Sequence, residues 1–184
     1  SSATSTTEDT QETVLDVNSD DITSFRYVYE GETYAFEKED ETWYYADDHS
    51  LNLNQDRIKA MILKVAPLKA DQVIENVTDM SQYGLADPER TIQYETADRS
   101  VIINVGNLNS MTSQYYVAFP SEMKVYVVTT NVVTGFNYTL DDLVMTEYVN
   151  REGRLLKYPQ DKKVGNEDVY NWLRENPHRL NLVR

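Results

Sequence analysis

A chain of 184 residues with 40% hydrophobic side chains is long enough to bury a core, and its 14 tyrosines favour strands, whose pleated surface packs flat rings well. A formal net charge of -14 argues against nucleic acid, which is held by clustered Lys and Arg, and against adsorption to anionic lipid. There is no cysteine, which excludes disulfides, thiolate chemistry and cysteine-ligated zinc.

The first 13 residues, "SSATSTTEDTQET", are polar and have no apolar period, so residues 1–13 are expected to be a disordered tether following an N-terminal anchor or signal. From residue 14 the pattern is one of strands and turns. Phe25, Tyr27 and Tyr29 alternate on one face, Glu30-Gly31 turns the chain, and Tyr34 and Phe36 alternate on the return. A third strand carries Trp43 and Tyr45, and a short one carries Leu51 and Leu53. Asn54 then caps a predicted helix whose apolar residues Ile58, Met61, Ile62 and Val65 share one stripe, with Pro67 beyond its end.

The second half repeats this series. "TIQYETADRSVIINVG" reads as a hairpin about Asp98-Arg99, a Ser/Asn-rich loop leads to "YYVAFP", and "VYVVTT" precedes a short helix capped by Thr129 or Thr130. Ile22 aligns with Ile92 and Asp71 with Asp141 at an offset of 70, and Trp43 with Tyr115 at 72. Leu53, Ile58 and Ile62 fall on Val127, Val132 and Phe136 at 74. The expected fold is therefore α+β: two tandem β-β-β-β-α-β repeats, at 14–82 and 91–149, forming antiparallel sheets with one helix each. Such a pair reads first as a small unit burying its open face against a copy of itself, and only second as two units around a cleft.

Between them, residues 83–90 begin "YGLADP". Tyr83 and Leu85 are apolar anchors on either side of Gly84, which tolerates positive φ, and Pro88 holds Asp87 extended, so the stretch is expected to be a packed joint rather than a loose linker. Residues 150–184 form a C-terminal extension. They carry 8 basic and 5 acidic side chains against 9 and 26 before them, and Asn166 caps a predicted helix bearing Val169, Trp172 and Leu173.

Taken in order, the "DDI" strand entry, the Trp43-containing "W-Y" strand, the "YGL-x-x-P" joint and the "G-x-x-N" loop before a tyrosine strand resemble the bacterial envelope family called domain of unknown function 4340, over about residues 14–145. The resemblance implies a repeated α+β unit on the outer face of the cytoplasmic membrane, held there by an N-terminal transmembrane helix or lipid anchor. Some relatives are encoded near transporter components. The family has no established catalytic residues, so none is transferred.

The residues themselves offer little chemistry. His49, in "ADDHS", has two carboxylates beside it, a combination that suits a metal or an acid-base pair, but neighbours along a strand point to opposite faces and the stretch is ordinary turn sequence. His178 follows Pro177 in the basic tail with no carboxylate nearby in sequence. The acidic run "EKEDE" lacks the spacing of a calcium loop, and no nucleophile elbow or phosphate-cradling glycine loop occurs. Trp43, Tyr45, Tyr115 and Tyr116 occupy matching places in the two halves and are the candidate ligand or partner surface; against this, an alternating strand must hide one of its faces.

The expectation is a non-enzymatic, extracytoplasmic binding or assembly module of a Gram-positive-type envelope. It would need no cofactor, would meet a protein partner such as a transporter component, and would touch the membrane only through its anchor. The alternatives are a binder of cell-wall glycan or polysaccharide through exposed aromatics, and a hydrolase or metal site around His49.

Overall fold

The computed structural model describes residues 10–149 and 155–159. The chain opens with β1 (Glu12–Leu15), so two residues expected in the tether already belong to a strand. β2 (Ile22–Tyr29) and β3 (Glu32–Glu39) are joined at Glu30 (φ 51°) and Gly31 (φ 78°), the paired positive φ that a tight two-residue hairpin requires. A second such turn, Asp40-Glu41 with φ of 48° and 66°, leads into β4 (Thr42–Tyr45).

The Asn54 side chain caps helix α1 (Gln55–Ile62) by accepting from the Arg57 amide, and Ile58, Met61 and Ile62 are buried. Two short strands follow, β5 (Leu68–Ala70) and β6 (Gln72–Ile74), where one was expected. The second half supplies β7 (Arg90–Thr96), β8 (Ser100–Asn109), β9 (Gln114–Ala118) and β10 (Val125–Thr129), then the five-residue helix α2 (Thr130–Thr134). Thr129 stands at the N-cap of α2 without a side-chain capping bond.

The two halves do not form separate sheets. One eight-stranded sheet runs β4-β3-β2-β7-β8-β9-β10-β6, antiparallel at every step. β2 and β7 meet in its interior with Phe25 opposite Tyr94 and Tyr27 opposite Ile92. The physical reason is that neither half is closed: β2 and β7 would each be an unpaired edge, and joining them removes both. β1 pairs with β5 in a small separate ladder. The expected Leu51–Leu53 strand reduces to a single bridge, Leu53 to Val144.

β structure also continues past residue 150. β11 (Met145–Val149) pairs with β12 (Leu155–Pro159), a strand where the loss of alternation suggested none. The helix predicted from Asn166, and His178, lie outside the described residues, as does most of the expected tether.

The main core lies on one face of the sheet, under both helices. Phe25, Tyr27, Phe36, Trp43, Ile92, Tyr94, Ile103 and Val128 from the strands pack with Ile58, Met61, Ile62, Val132, Val133 and Phe136. Phe25 stacks on Phe36 with centroids 4.9 Å apart and meets Trp43 edge-on at 5.1 Å. Beside this core the half-buried Arg90 donates to the carbonyls of Val28 and Phe136 and to Asn137 Oδ1, at 2.9, 3.2 and 2.7 Å, tying the central strands to the end of α2.

Candidate functional site

Strand alternation assigns the remaining side chains to the opposite face, which is covered at one end and open at the other. At the covered end Tyr116, Ala118 and Val125 turn away from the main core and meet Val77, Met80, Tyr83 and Leu85 in a second cluster. A 3-10 turn, Met80–Tyr83, capped by Asp79, delivers this segment; Gly84 follows it in the left-handed region at φ 72°. Hydrogen bonds from Ser81 hold the Asp79 carboxyl below the usual range. Leu85 is buried, and Tyr83 is half-buried edge-on to Tyr116 with centroids 5.0 Å apart. Residues 83–90 therefore do more than connect: they roof one end of the sheet's second face.

The other end of that face carries a groove of about 440 Å³ across β3, β2, β7 and β8. Ser24, Ala35 and Ser100 keep its floor low, while Arg26, Glu37, Gln93, Glu95 and Ile102 line it. Hydrogen bonds across and along the strands order the polar members. Arg26 donates from Nε and Nη2 to Gln93 Oε1 at 3.2 and 3.0 Å, Gln93 Nε2 donates to Thr91 Oγ1 at 3.2 Å, and Ser24 Oγ donates to Glu95 Oε2 at 3.3 Å. Ile102 is an exposed large apolar side chain among these polar ones.

At the groove's rim, Glu37 and Glu39, two apart on β3, face the same way. Glu37 is opposite Tyr44 in the β3–β4 ladder. The Tyr44 ring stacks on the His49 imidazole, centroids 4.9 Å apart and planes 11° from parallel, and His49 Nε2 is hydrogen-bonded to Glu37 Oε1. One carboxylate oxygen each of Glu37 and Glu39 and a ring nitrogen of His49 lie within 4.8 Å of one another. The partners expected from sequence are not the ones His49 takes. Asp48 instead accepts from the Ser50 amide and hydroxyl at 3.0 and 2.6 Å, which holds its carboxyl below the usual range.

The four aromatics singled out from sequence do not share a surface. Trp43 is 2% exposed, opposite Lys38 on the core side of β4, with the lysine ammonium 5.7 Å from its ring centroid. Tyr45 and Tyr115 are half-buried against the same core, whereas Tyr116 belongs to the second cluster on the other face. The matching places in the two halves are core places, because the aromatic face of each strand is the one that must be hidden.

Sequence reasoning missed Arg26, Gln93 and Tyr44 altogether and read Glu37 and Glu39 only as part of an acidic run without calcium-loop spacing. The available signal was the parity of "EKE" followed by a histidine one strand later, which becomes informative only once the β3–β4 register is known. Among the described residues no helix is long and apolar enough to cross a membrane.

No curated protein and no solved structure matches the chain. The family described as "Domain of unknown function (DUF4340)" matches residues 43–158, from β4 through the central joint to β12, and the chain belongs to that family.

Proposed function

We propose that this chain is a non-enzymatic binding or assembly module working outside the cytoplasm at the bacterial cell envelope, accessory to a transporter component and held by an N-terminal anchor. The open end of the second sheet face is its docking surface, and the partner is a protein presenting basic and polar side chains. The observation that carries this reading is the groove over β3, β2, β7 and β8, where ordered polar side chains surround the exposed Ile102. Such a mixture suits a polar, wet protein interface better than an enclosed small-molecule pocket. The net charge of -14 favours approach by a basic partner.

The sugar-binding reading loses its main support with the burial of Trp43. A hydrolase around His49 would rest on an exposed imidazole already engaged by Glu37.

The two halves are copies of one β-β-β-β-α-β unit that have exchanged strands. Two observations support this. The strand order runs outward as β2, β3, β4 on one side of the central pair and as β7, β8, β9 on the other. The pairings beyond it are reciprocal: Val127 of the second half pairs with Gln72 of the first, while Leu53, the residue aligned with Val127, pairs with Val144 of the second.

The docking face is tested by replacing Ile102 with a photo-crosslinking residue in the full-length chain in its own cells, with Leu63, exposed on the helix side, as control. The expected result is an adduct with an envelope protein from position 102 that is lost when Glu95→Lys is added. Equal labelling from positions 102 and 63 defeats the proposal.

A further inference from the structure

The geometry points to a divalent-metal site formed by Glu37, Glu39 and His49, for a cation of the zinc class, on the open face of the sheet beside the groove. Three donors from two segments converge there, their ligand atoms within 4.8 Å of one another. One nitrogen with two carboxylate oxygens is a donor set suited to Zn²⁺, whereas Ca²⁺ and Mg²⁺ prefer oxygen alone.

Charge supports the same reading. Two carboxylates stand side by side, and the only base paired with them among the described residues is the His49 imidazole. Lys38, between them in sequence, points to the core side, where its ammonium donates to the Asp20 carbonyl at 2.9 Å and lies over Trp43. The residues opposite Glu37 and Glu39 on β4 are Tyr44 and Thr42, neither of them cationic. A bound cation would relieve this local excess of negative charge.

The nitrogen donor is also oriented. The parallel Tyr44 ring fixes the plane of His49, which directs Nε2 toward Glu37. Metal would take the place of the hydrogen-bond contact between Nε2 and Glu37, with both groups then serving as ligands. With three protein donors, a fourth position remains for water or for a donor from a partner seated in the groove.

The test is calorimetric titration of the full chain with ZnCl₂, with CaCl₂ as the control cation. Saturable one-site zinc binding is expected. Glu39→Gln and His49→Ala should each weaken binding by about tenfold or more, and His178→Ala should leave it unchanged. These two ligands are exposed, and unchanged far-ultraviolet circular dichroism would show that the variants fold. Lack of saturable zinc binding, equal affinity in wild type and the Glu39→Gln/His49→Ala double variant, or displacement of zinc by equimolar calcium overturns the proposal. None of these outcomes bears on crosslinking from position 102, so the two proposals stand or fall separately.

Discussion

The carboxamide of Gln55 closes the backbone of Trp43 on both sides: its Oε1 accepts from the Trp43 amide at 2.8 Å and its Nε2 donates to the Trp43 carbonyl at 2.9 Å. β4 is an edge of the large sheet, and an edge strand exposes unpaired amides and carbonyls that template self-association. Here a side chain from the first turn of α1 takes the pairing position, and Tyr45 beyond it is bridged to Asp48. Replacing Gln55 by Ala should cost about 1–3 kcal/mol, the penalty for leaving a partly buried amide and carbonyl unpaired. It should also raise self-association, because the edge is reopened. Urea unfolding and light scattering at rising concentration measure the two effects, and a variant that loses neither stability nor monodispersity contradicts this role.

Leu53 and Val144 form a bridge between the two halves, flanked by hydrogen bonds from the Asn54 amide to the Leu143 carbonyl and from the Met145 amide to the Asn52 carbonyl, at 2.8 and 2.7 Å. On the other side the Asp71 amide donates to the Val127 carbonyl at 2.7 Å. Each half thus completes the other's strands, and the central β2–β7 pair joins them again. Fragments 10–82 and 83–159, made separately, should lack dispersed amide spectra and should recover them on mixing. A fragment that folds cooperatively alone would show the crossed pairings to be dispensable.

At the joint, two glycines are constrained for different reasons. A Cβ on Gly106 would lie 2.2 Å from the Tyr83 carbonyl oxygen and 3.0 Å from that of Tyr116, both backbone atoms that move only if the joint lifts off the sheet. On Gly84 the nearest atom, at 2.2 Å, is the side-chain oxygen of Asn107, which can rotate away, but φ of 72° still penalises any β-carbon. Gly31 shares the positive φ at 78° with nothing within 4 Å. Alanine should therefore cost most at Gly106, in the range of about 3 kcal/mol or more. At Gly84 and Gly31 it should cost about 1 kcal/mol, the strain of a left-handed residue. Melting temperatures of the three variants give the order; Gly31→Ala as the most damaging would refute it.

Local patterns that repeat every two or four residues are legible in the amino-acid order alone: the Glu30-Gly31 hairpin, the Asn54 cap and the buried stripe Ile58, Met61 and Ile62 all stand where the sequence places them. What periodicity cannot carry is which strands become neighbours. The fusion of β2 with β7 and the crossed pairings of Leu53 with Val144 and of Val127 with Gln72 depend on edges that are unsatisfied only in three dimensions. The same gap hid the site. Parity shows that Trp43 and Tyr45 share a face but not which face is buried, and the rim residues Glu37, Tyr44 and His49 meet only through the register of a hairpin with an acidic turn.

Burial of tyrosine hydroxyls sets an alkaline limit on the fold. Tyr27 is raised well above its ordinary value of 10.0 by burial and then by Tyr34, and Tyr126 by burial and then by its hydrogen bond to Glu122. Burial pushes Tyr94 up to about 12 from 10.0. A phenol whose folded value exceeds its unfolded one favours the folded state fully below the unfolded value, and that contribution falls as pH rises toward the folded value. For Tyr94 the window is pH 10.0 to about 12. Stability measured by urea should hold steady up to about pH 10 and then drop, with tyrosinate absorbance appearing together with unfolding rather than before it. Tyr94→Phe isolates one contributor. The hydroxyl's hydrogen bond to the Val65 carbonyl, at 3.5 Å, is at the limit for such a bond, so its removal should cost less than about 1 kcal/mol at neutral pH while making the alkaline decline shallower. Tyr27→Phe serves as the contrast. Its hydroxyl donates to the Tyr138 carbonyl at 2.9 Å, so it should lose about 1–2 kcal/mol at neutral pH as well as gaining alkaline tolerance. An alkaline slope unchanged in both variants would mean that these phenols are not what limits the fold at high pH.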